Sequence, residues 1–287
     1  MAPQAQASIL AARLHSLSLR FVNQEYHITV ALPASYPAQP TARYPTIYLL
    51  DANWYFGMVT DITRIMARCE TFPETIVVGI GYPVDEPLDD AFKQIWASRQ
   101  RDFTPTVDHE EEREDQEFAQ RPVTTGGAPH FLQFIREELI PFIEDEYRTD
   151  GDQRVLVGHS SGGLFALYTL FHAPNLFRSY IVGSPYLNHG MKQHGERIIF
   201  TYEQRFAAHH RQLPVNLYLA IGEHEGSGYP AHMYLRELSD QLRARGYEGF
   251  ALTVQTHPNC DHCQSVAPAF QAGLLTVCPM PDAAAKG

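Results

Sequence analysis

The segment Gly158–Gly163 reads Gly-His-Ser-Ser-Gly-Gly and constrains the fold of this 287-residue chain more than any other stretch. It follows the strand-like run 154–157 and precedes the apolar, helix-like segment 164–168. Glycine is needed two positions before and after Ser160 where a strand turns sharply into a helix, because larger side chains would collide with neighbouring backbone. Such a turn holds its serine in a strained conformation, at a helix N-terminus whose free N–H groups can bind an oxyanion. Ser160 is therefore predicted to be a nucleophile rather than part of an ordinary glycine-rich turn.

The composition is that of a globular protein with a sizeable core, since 44% of the residues are hydrophobic and 19% are charged. The net charge of −11, from 22 Lys and Arg against 33 Asp and Glu, argues against nucleic acid or an anionic membrane as a main partner. Part of this charge lies in the acidic run 108–117, which is predicted to be a solvated, mobile loop. The sequence shows no secretory signal pattern and no apolar stretch approaching the length of a transmembrane helix. With four irregularly spaced cysteines, a cytoplasmic, reduced protein is expected.

Strand and helix patterns alternate along the chain. Strands are predicted at 25–32, 46–50, 75–80, 154–157, 179–182, 215–221 and 250–254, and helices at 54–67, 131–147, after the elbow, at 231–245 and at 266–277. The segment 25–32 alternates and suits an antiparallel first strand, whereas the continuous apolar runs suit parallel strands buried on both faces. Prolines, the acidic run and paired glycines predict a long irregular insertion at 83–128, a candidate lid or pocket wall. The pattern predicts one α/β domain over residues 1–287, a mostly parallel sheet with helices on both faces.

A serine nucleophile needs a base that takes its proton. In this architecture the chain order is serine, acid, histidine, with the partners in loops at the carboxyl ends of later strands. The loop after the last predicted strand offers His257 and His262. His262 is favoured because it lies closer to the start of the last helix, whose N-terminus points at the active edge, and His257 is the alternative.

The acid that orients the histidine is expected just after the strand 215–221. The sequence there offers two carboxylates, Glu223 and Glu225. Glu225 is favoured because it has room to reach back across the sheet edge, whereas Glu223 can still point along the strand.

An oxyanion hole needs two backbone N–H groups. One is expected from Ser161, the residue after the nucleophile, and the other from Ala52 or Asn53 in the loop after the third strand. Because main-chain groups do this work, the side chains need not be catalytic, and Asp51 is interpreted as a turn-forming residue.

Several residues could contact the substrate. Arg99 and Arg101 lie next to Asp102 and could bind anionic or carbonyl groups, or could form a structural Arg–Asp pair that ties down the insertion. Aromatic residues near the active edge could form a pocket wall or could equally belong to the core: Trp54, Phe56, Tyr186, Tyr229 and Tyr234.

Over residues 22–278 the chain resembles the esterase D/enterochelin-esterase-like branch of the α/β-hydrolases, which includes siderophore esterases. The stretches that carry the resemblance are Tyr48–Asp51, Arg101–Pro105, Gly126–Ala128, Phe131–Pro141, Gly158–Leu164, Gly183–Tyr186 and Gly222–Glu225. The resemblance implies the α/β-hydrolase fold, three layers with the sheet between helices, and serine-dependent ester hydrolysis.

The resemblance also bears on individual residues. A histidine eleven residues before a Gly-Leu pair is typical of the family, and His262 with Gly273-Leu274 matches it. Ala52 departs from the pattern, because the family often has glycine after the aspartate. A second departure is the cysteine-rich segment 259–263 that leads into His262.

Cys260 and Cys263 form a Cys-x-x-Cys pair near two histidines, which raises the possibility of a metal or redox site. Four ligands within seven residues are too crowded for tetrahedral zinc, and a second Cys pair is missing. Thiols packed beside the active loop are therefore favoured, without a metal, and the sequence does not indicate a disulfide.

These inferences predict hydrolysis of a small-molecule carboxylic ester through an acyl-enzyme on Ser160, without cofactor or metal. By resemblance the substrate is a siderophore ester, a trilactone or a fusarinine type. Short-chain acyl or aryl esters, S-formylglutathione and acyl transfer to an alcohol are alternatives, and a catalytically silent binding protein is an alternative of another class. The sequence leaves the oligomeric state open, a homodimer included.

Overall fold

A computed structural model describes residues 9–18, 24–84, 87–226, 230–278 and 280. Eight strands form one sheet: β1 (Ala12–Ser18), β2 (Glu25–Ala31), β3 (Tyr44–Leu49), β4 (Ile76–Gly81), β5 (Thr149–His159), β6 (Ser179–Gly183), β7 (Asn216–Gly222) and β8 (Ala251–His257). Their spatial order is β1-β2-β4-β3-β5-β6-β7-β8. The pairs β1–β2 and β2–β4 are antiparallel, and all the others are parallel. The mostly parallel sheet and its antiparallel start are thus confirmed.

The helices are α1 (Ala52–Arg68), α2 (Leu88–Phe103), α3 (His109–Ala119), α4 (Ala128–Phe134), α5 (Ile140–Glu146), α6 (Ser161–His172), α7 (Met191–His194), α8 (Ile198–His209), α9 (Ala231–Arg245) and α10 (Val266–Val277). One π-helical turn, Ile135–Leu139, joins α4 to α5. The helix predicted across Pro141 is therefore continuous. The wider π-helical turn lies just before Pro141, which has no N–H to donate.

The core lies on both faces of the sheet. On one face, Ile47, Val157 and Ile181 pack with residues of α1 and α10. On the other face, alternate strand residues such as Tyr48 and Leu156 pack with α4, α6, α8 and α9. Because neighbouring strand residues point to opposite faces, the continuous apolar runs of β3 to β7 fill both cores at once. The α/β-hydrolase fold in three layers is confirmed.

The prediction that 83–128 is irregular and that 108–117 is a mobile loop was wrong. Most of the insertion is helical, as α2 and α3. The carboxylate of Asp108 accepts hydrogen bonds from the N–H groups of Glu110 and Glu111, both at 3.1 Å. Acidic residues in the first turn of α3 also face the positive end of the helix dipole. The same charges that suggested a solvated loop therefore start a helix.

Among the described residues, no helix combines the length and the apolar character that crossing a bilayer requires.

Candidate active site

Ser160 lies between the end of β5 and the start of α6, in a strained backbone conformation with φ 58° and ψ −121°. Its N–H donates to the carbonyl of Gly183 at 2.9 Å. Its own carbonyl accepts from the N–H groups of Leu164 and Tyr186, each at 3.0 Å. The surrounding strand and helix thus hold a conformation that a free serine rarely adopts, as the strand–helix pattern predicted.

The glycines of the elbow have different neighbours. A Cβ on Gly158 would lie 2.3 Å from the carbonyl oxygen of Gly162, so a side chain is excluded there. A Cβ on Gly162 would lie 3.2 Å from the carboxylate of Asp51, a tight contact with a side chain rather than with backbone. The predicted steric need for glycine is therefore strict at 158, whereas at 162 it depends on Asp51.

Glu225 and His262 meet beside the elbow. Nδ1 of His262 lies 2.8 Å from Oε2 of Glu225. The other carboxylate oxygen, Oε1, accepts from Ser184 Oγ at 2.5 Å and from the Gly222 N–H at 2.7 Å. Burial alone would raise the pKa of Glu225, but these hydrogen bonds from His262, Ser184 and Gly222 outweigh it and lower the pKa to about 2. The carboxylate is thus a fixed negative charge that orients the histidine.

The alternative acid and base residues have structural roles. Glu223 accepts from the N–H of Asn259 at 2.8 Å and so fastens the loop that precedes His262. His257 is the last residue of β8 rather than part of the following loop. It is buried, and its Nε2 lies 3.1 Å from the hydroxyl of Tyr218. The structure therefore brings Glu225 to His262, and places Glu223 and His257 elsewhere.

His159 packs against the His262 imidazole, with the ring centroids 4.6 Å apart. Its side chain is buried, and its Nε2 has no hydrogen-bond partner among the described residues. Burial first, and the nearby His262 second, lower the pKa of His159 to about 3. His159 is therefore a neutral ring that supports His262 without adding charge.

Two helix N-termini meet at the elbow. Ser161 is the first residue of α6, and Ala52 is the first residue of α1 after Asp51, which has a left-handed φ of 54°. N–H groups at such positions have no carbonyl partner within their own helix. The side chain of Asn53 is held by Tyr82, donating to its carbonyl at 2.9 Å and accepting from its N–H at 2.8 Å. This places the predicted amide donors on rigid elements.

A buried Arg–Asp pair connects these two N-termini. The Arg99 guanidinium donates to both carboxylate oxygens of Asp51, at 3.0 and 2.9 Å, and both side chains are at most 2% exposed. The same guanidinium approaches Ser161 Oγ at 3.4 Å and the carbonyl of His159 at 3.5 Å. Asp51 thus does more than form a turn, since it anchors Arg99 under the elbow.

Arg101 has a different environment from the one predicted. Its guanidinium donates twice to Asp102, at 2.7 and 2.8 Å, and once to Gln24 at 2.7 Å. Asp102 in turn accepts from the hydroxyl of Tyr26 at 2.8 Å. The prediction of Arg101 as a substrate contact is corrected, because this pair ties the insertion to β2, which is the structural alternative considered for it.

A cavity opens beside the nucleophile. Its lining comes from α2, α3, the elbow and the segment after β6: Trp96, Gln100, Glu111, Glu114, Asp115, Ser160, Ser161 and Tyr186. The acidic residues of α3 therefore form one of its walls, and the insertion contributes part of the pocket.

The predicted aromatic wall is only partly present. Tyr186 lines the cavity, and its hydroxyl donates to Glu111 at 2.9 Å. Trp54 stacks on Phe92 outside this lining, with the ring centroids 5.2 Å apart. Phe56 is core, Tyr234 packs on Arg197, and Tyr229 lies outside the described residues.

One group of side chains in the described part of the chain has the spacing of a metal site: Asp108, Glu111 and His189. Nδ1 of His189 lies 2.7 Å from Glu111, whose other oxygen accepts from Tyr186. These contacts fasten α3 to the segment after β6. Cys260 and Cys263 do not belong to this group, and both are free thiols in the structure.

Ser184 is a site residue that the sequence reasoning missed. It directly follows β6, and its hydroxyl donates to the carboxylate that orients His262. Its position after a parallel strand was a usable signal, because polar residues at the carboxyl ends of such strands collect at one edge.

Comparison with known proteins identifies the family. The family described as "Putative esterase" matches residues 20–226. The chain belongs to this family. It is 36% identical to the ferri-bacillibactin esterase BesA of Bacillus subtilis, over 96% of this chain and 92% of the relative. It is 30% identical to the siderophore enterobactin esterase of Emericella nidulans, over 87% of this chain and 88% of the relative.

The fold is shared as well. The BES protein from Bacillus cereus superimposes with a TM-score of 0.79 at 26% identity, over 96% of this chain and 98% of that protein. With this family and fold, the chain is a serine esterase.

Proposed function

We propose that the protein hydrolyses siderophore esters through an acyl-enzyme on Ser160. The observation that carries the proposal is the Glu225–His262 pair, 2.8 Å apart, whose imidazole packs on His159, the residue before the strained Ser160. A serine hydroxyl is activated when a histidine beside it can take its proton and a buried carboxylate fixes the tautomer of that histidine.

In the first half of the reaction, Ser160 Oγ attacks the ester carbonyl while Nε2 of His262 takes its proton. The oxyanion of the tetrahedral intermediate rests on the N–H of Ser161 and on that of Ala52 or Asn53. The intermediate then expels the alkoxide, which leaves as an alcohol with the proton from His262. Glu225 stabilises the imidazolium that exists between these two transfers.

In the second half, His262 takes a proton from water, whose oxygen attacks the acyl carbonyl on Ser160. Collapse of this second intermediate releases the carboxylic acid and returns the proton to Ser160. Two donor amides at helix N-termini remain in place throughout, so the site needs no rearrangement between the halves.

The substrate class is inferred from relatives, two of which are named as esterases of bacillibactin and enterobactin siderophores. We infer a siderophore trilactone or a fusarinine-type ester for this chain, in the cytoplasm, where free thiols such as Cys260 and Cys263 persist. Short-chain esters, S-formylglutathione and transfer to an alcohol are the competing activities.

Purified protein is expected to cleave a siderophore ester at a kcat/KM at least about tenfold above that for p-nitrophenyl acetate, because binding of remote groups raises kcat/KM. Mass spectrometry of products from iron-free and iron-loaded siderophores, S-formylglutathione and simple esters measures this. Turnover of simple esters alone would remove the siderophore assignment. Equal rates for wild type and Ser160→Ala would remove the esterase mechanism.

The acid limb of activity is not expected to come from Glu225. Its carboxylate stays ionised until the pH approaches 2, so its protonation contributes nothing to a loss of activity above about pH 4. Because folding lowers the pKa of Glu225, its ionised carboxylate stabilises the folded protein at pH values above the pKa of the unfolded state. This stabilisation is lost as the pH falls through about 2.

A plot of log kcat/KM against pH should therefore show no inflection caused by Glu225 above about pH 4. Burial raises the pKa of Asp115 in the cavity wall, so Asp115→Asn is the control that separates the two carboxylates. An acid inflection above pH 4 that persists in Asp115→Asn but disappears in Glu225→Gln would contradict the assignment of Glu225 as a fixed charge.

A further inference from the structure

Two carboxylates and one imidazole meet in the interior between α3 and the segment that follows β6. Asp108, Glu111 and His189 each place one ligand atom within 4.8 Å of the ligand atoms of the other two. Asp108 and His189 have no exposed surface, and Glu111 is 4% exposed. These three residues are here called the carboxylate–histidine cluster. The ester-hydrolysis mechanism makes no use of it.

One oxygen of Asp108 lacks a hydrogen-bond partner. Oδ1 accepts from the N–H groups of Glu110 and Glu111, both at 3.1 Å, and so caps α3. Oδ2 is buried and has no hydrogen-bond partner among the described residues. A buried, charged oxygen without a donor is costly unless a cation binds it. Oδ2 is therefore the oxygen of Asp108 that is available to an ion bound by the cluster.

The contacts of His189 favour one ring nitrogen as a metal ligand. Its Nε2 lies 3.2 Å from the carbonyl of Thr106 and 3.1 Å from the hydroxyl of the same residue. A proton on Nε2 can be donated to these oxygens, and Nδ1 then presents a lone pair. Nδ1 points at Oε2 of Glu111, at 2.7 Å. Histidine ligands commonly donate their other ring N–H to a backbone carbonyl, which orients the ligating nitrogen.

The charge of the cluster also favours a cation. Among the described residues, no lysine or arginine forms an ion pair with Asp108 or Glu111, and Lys192 pairs with the exposed Glu114 instead, at 2.5 Å. The basic side chain beside Glu111 is His189 itself. Buried carboxylates without a compensating charge destabilise a fold. A divalent ion balances both negative charges while the neutral imidazole supplies a third ligand.

We propose that Asp108, Glu111 and His189 form a binding site for a divalent transition-metal ion such as zinc. Imidazole nitrogen with carboxylate oxygen is a donor set that zinc accepts, whereas calcium and magnesium take oxygen ligands. Zinc also binds such a set more tightly than manganese does. The ligand atoms of tetrahedral zinc, at bond lengths of about 2.0–2.1 Å, lie about 3.3 Å from one another. Small side-chain movements therefore suffice to adapt the cluster.

A metal ion at this place joins two walls of the active-site cavity. Tyr186 lies in the same segment as His189, and its hydroxyl donates to Oε1 of Glu111 at 2.9 Å. The N–H of Tyr186 donates to the carbonyl of Ser160 at 3.0 Å. Glu111 and Tyr186 both line the cavity. The ion thus fixes α3 relative to the elbow and takes no part in the bonds made or broken at Ser160, so the inference is independent of which ester is cleaved.

Zinc binding tests the site directly. Tag-free protein carrying Cys260→Ser and Cys263→Ser, in which these thiols cannot compete for zinc, is stripped with a chelator. It is then titrated with zinc chloride against a chromogenic zinc indicator. We expect one bound equivalent that a large excess of magnesium does not displace. Asp108→Asn keeps an oxygen that can cap α3 but removes the charge, and it should raise the Kd at least about tenfold, as should His189→Gln.

The melting temperature is a second readout. Zinc at about 100 times its Kd should raise the melting temperature of the parent protein by about 3–8 °C, and it should leave that of Asp108→Asn nearly unchanged. Glu110→Gln is the matched control, because it removes an exposed carboxylate from the same turn of α3. It should keep both the Kd and the thermal shift of the parent.

Two results would overturn the site. One is the same Kd for zinc in the parent, Asp108→Asn and His189→Gln, or no binding in any of them. The other is zinc binding in wild type that disappears in the cysteine variant, which would assign the ion to the thiols. Circular dichroism of the metal-free variants checks that they fold. If either variant is unfolded, Glu111→Gln takes its place, because glutamine can still accept from Tyr186 while the charge is removed.

Discussion

Replacing Ser160 by alanine is expected to lower kcat for ester hydrolysis by about 10⁴-fold or more, as is replacing His262 by alanine. The two side chains act as one unit, because the hydroxyl is a weak nucleophile without the imidazole and the imidazole has no acyl acceptor without the hydroxyl. Removing both should therefore be no worse than removing one. Steady-state kinetics on the single and double variants measure this non-additivity.

The elbow supplies a control, since two serines are adjacent. The side chain of Ser161 bonds to Gln100 at 3.0 Å, and only its backbone N–H is assigned to the oxyanion. Ser161→Ala keeps that N–H, so kcat should fall by less than about tenfold. A loss in Ser161→Ala as large as in Ser160→Ala would show that the wrong serine is assigned.

For the second histidine, His257→Gln should lower the melting temperature rather than kcat, because His257 lies in the core against Tyr218. A collapse of kcat in this variant with normal activity in His262→Ala would reverse the assignment of the base.

The fold could be predicted because the spacing of apolar residues along the chain reflects which side chains are buried in the core. Buried parallel strands appear as continuous apolar runs, and the predicted helices 231–245 and 266–277 have the same ends in the structure. Chain order limited the acid to Glu223 or Glu225 and the base to His257 or His262, since loops after neighbouring parallel strands meet at one edge. The positions of Glu225 and His262 within their loops then favoured this pair.

Elements that depend on polar contacts were harder to predict. The α3 helix is stabilised by Asp108 at its N-terminus and by its dipole, and its sequence has little apolar periodicity. Similarly, β1 and β8 are the edge strands of the sheet, and most of their residues are exposed or half-buried. The pattern of apolar residues along them is therefore weak. Because β8 extends to His257, that histidine belongs to the strand, and His262 is the one that lies in the following loop. No local sequence pattern indicated that the strand extends this far.

Long-range partners were the least predictable. Arg99 and Arg101 both lie within three residues of Asp102, and either could have formed the structural pair. The helix separates them by two positions, so they point in different directions, and Arg99 reaches Asp51 instead. Which distant carboxylate an arginine meets depends on the packed fold, which no short segment encodes.

Arg99→Leu is expected to lower the free energy of unfolding by about 3–5 kcal/mol, because it leaves the Asp51 carboxylate buried without its partner. It should also lower kcat in the molecules that remain folded. Arg99 contacts the residues on both sides of Ser160 and anchors the turn that starts α1, so its loss frees the two amide donors to move apart. Urea unfolding gives the first quantity, and kcat corrected by fluorophosphonate titration of active sites gives the second.

Arg101→Leu is the matched control, since it also breaks an Arg–Asp pair in the same insertion. Its partner Asp102 is likewise buried. It should lower stability while leaving kcat per titrated site near the wild-type value. Asp51→Asn in the Arg99→Leu background should recover part of the stability, because asparagine tolerates the left-handed φ of 54° and carries no charge. That double variant should still have a low kcat, since the link to the elbow is missing. If Arg99→Leu and Arg101→Leu lose kcat equally, the buried pair supports the fold and does not position the oxyanion donors.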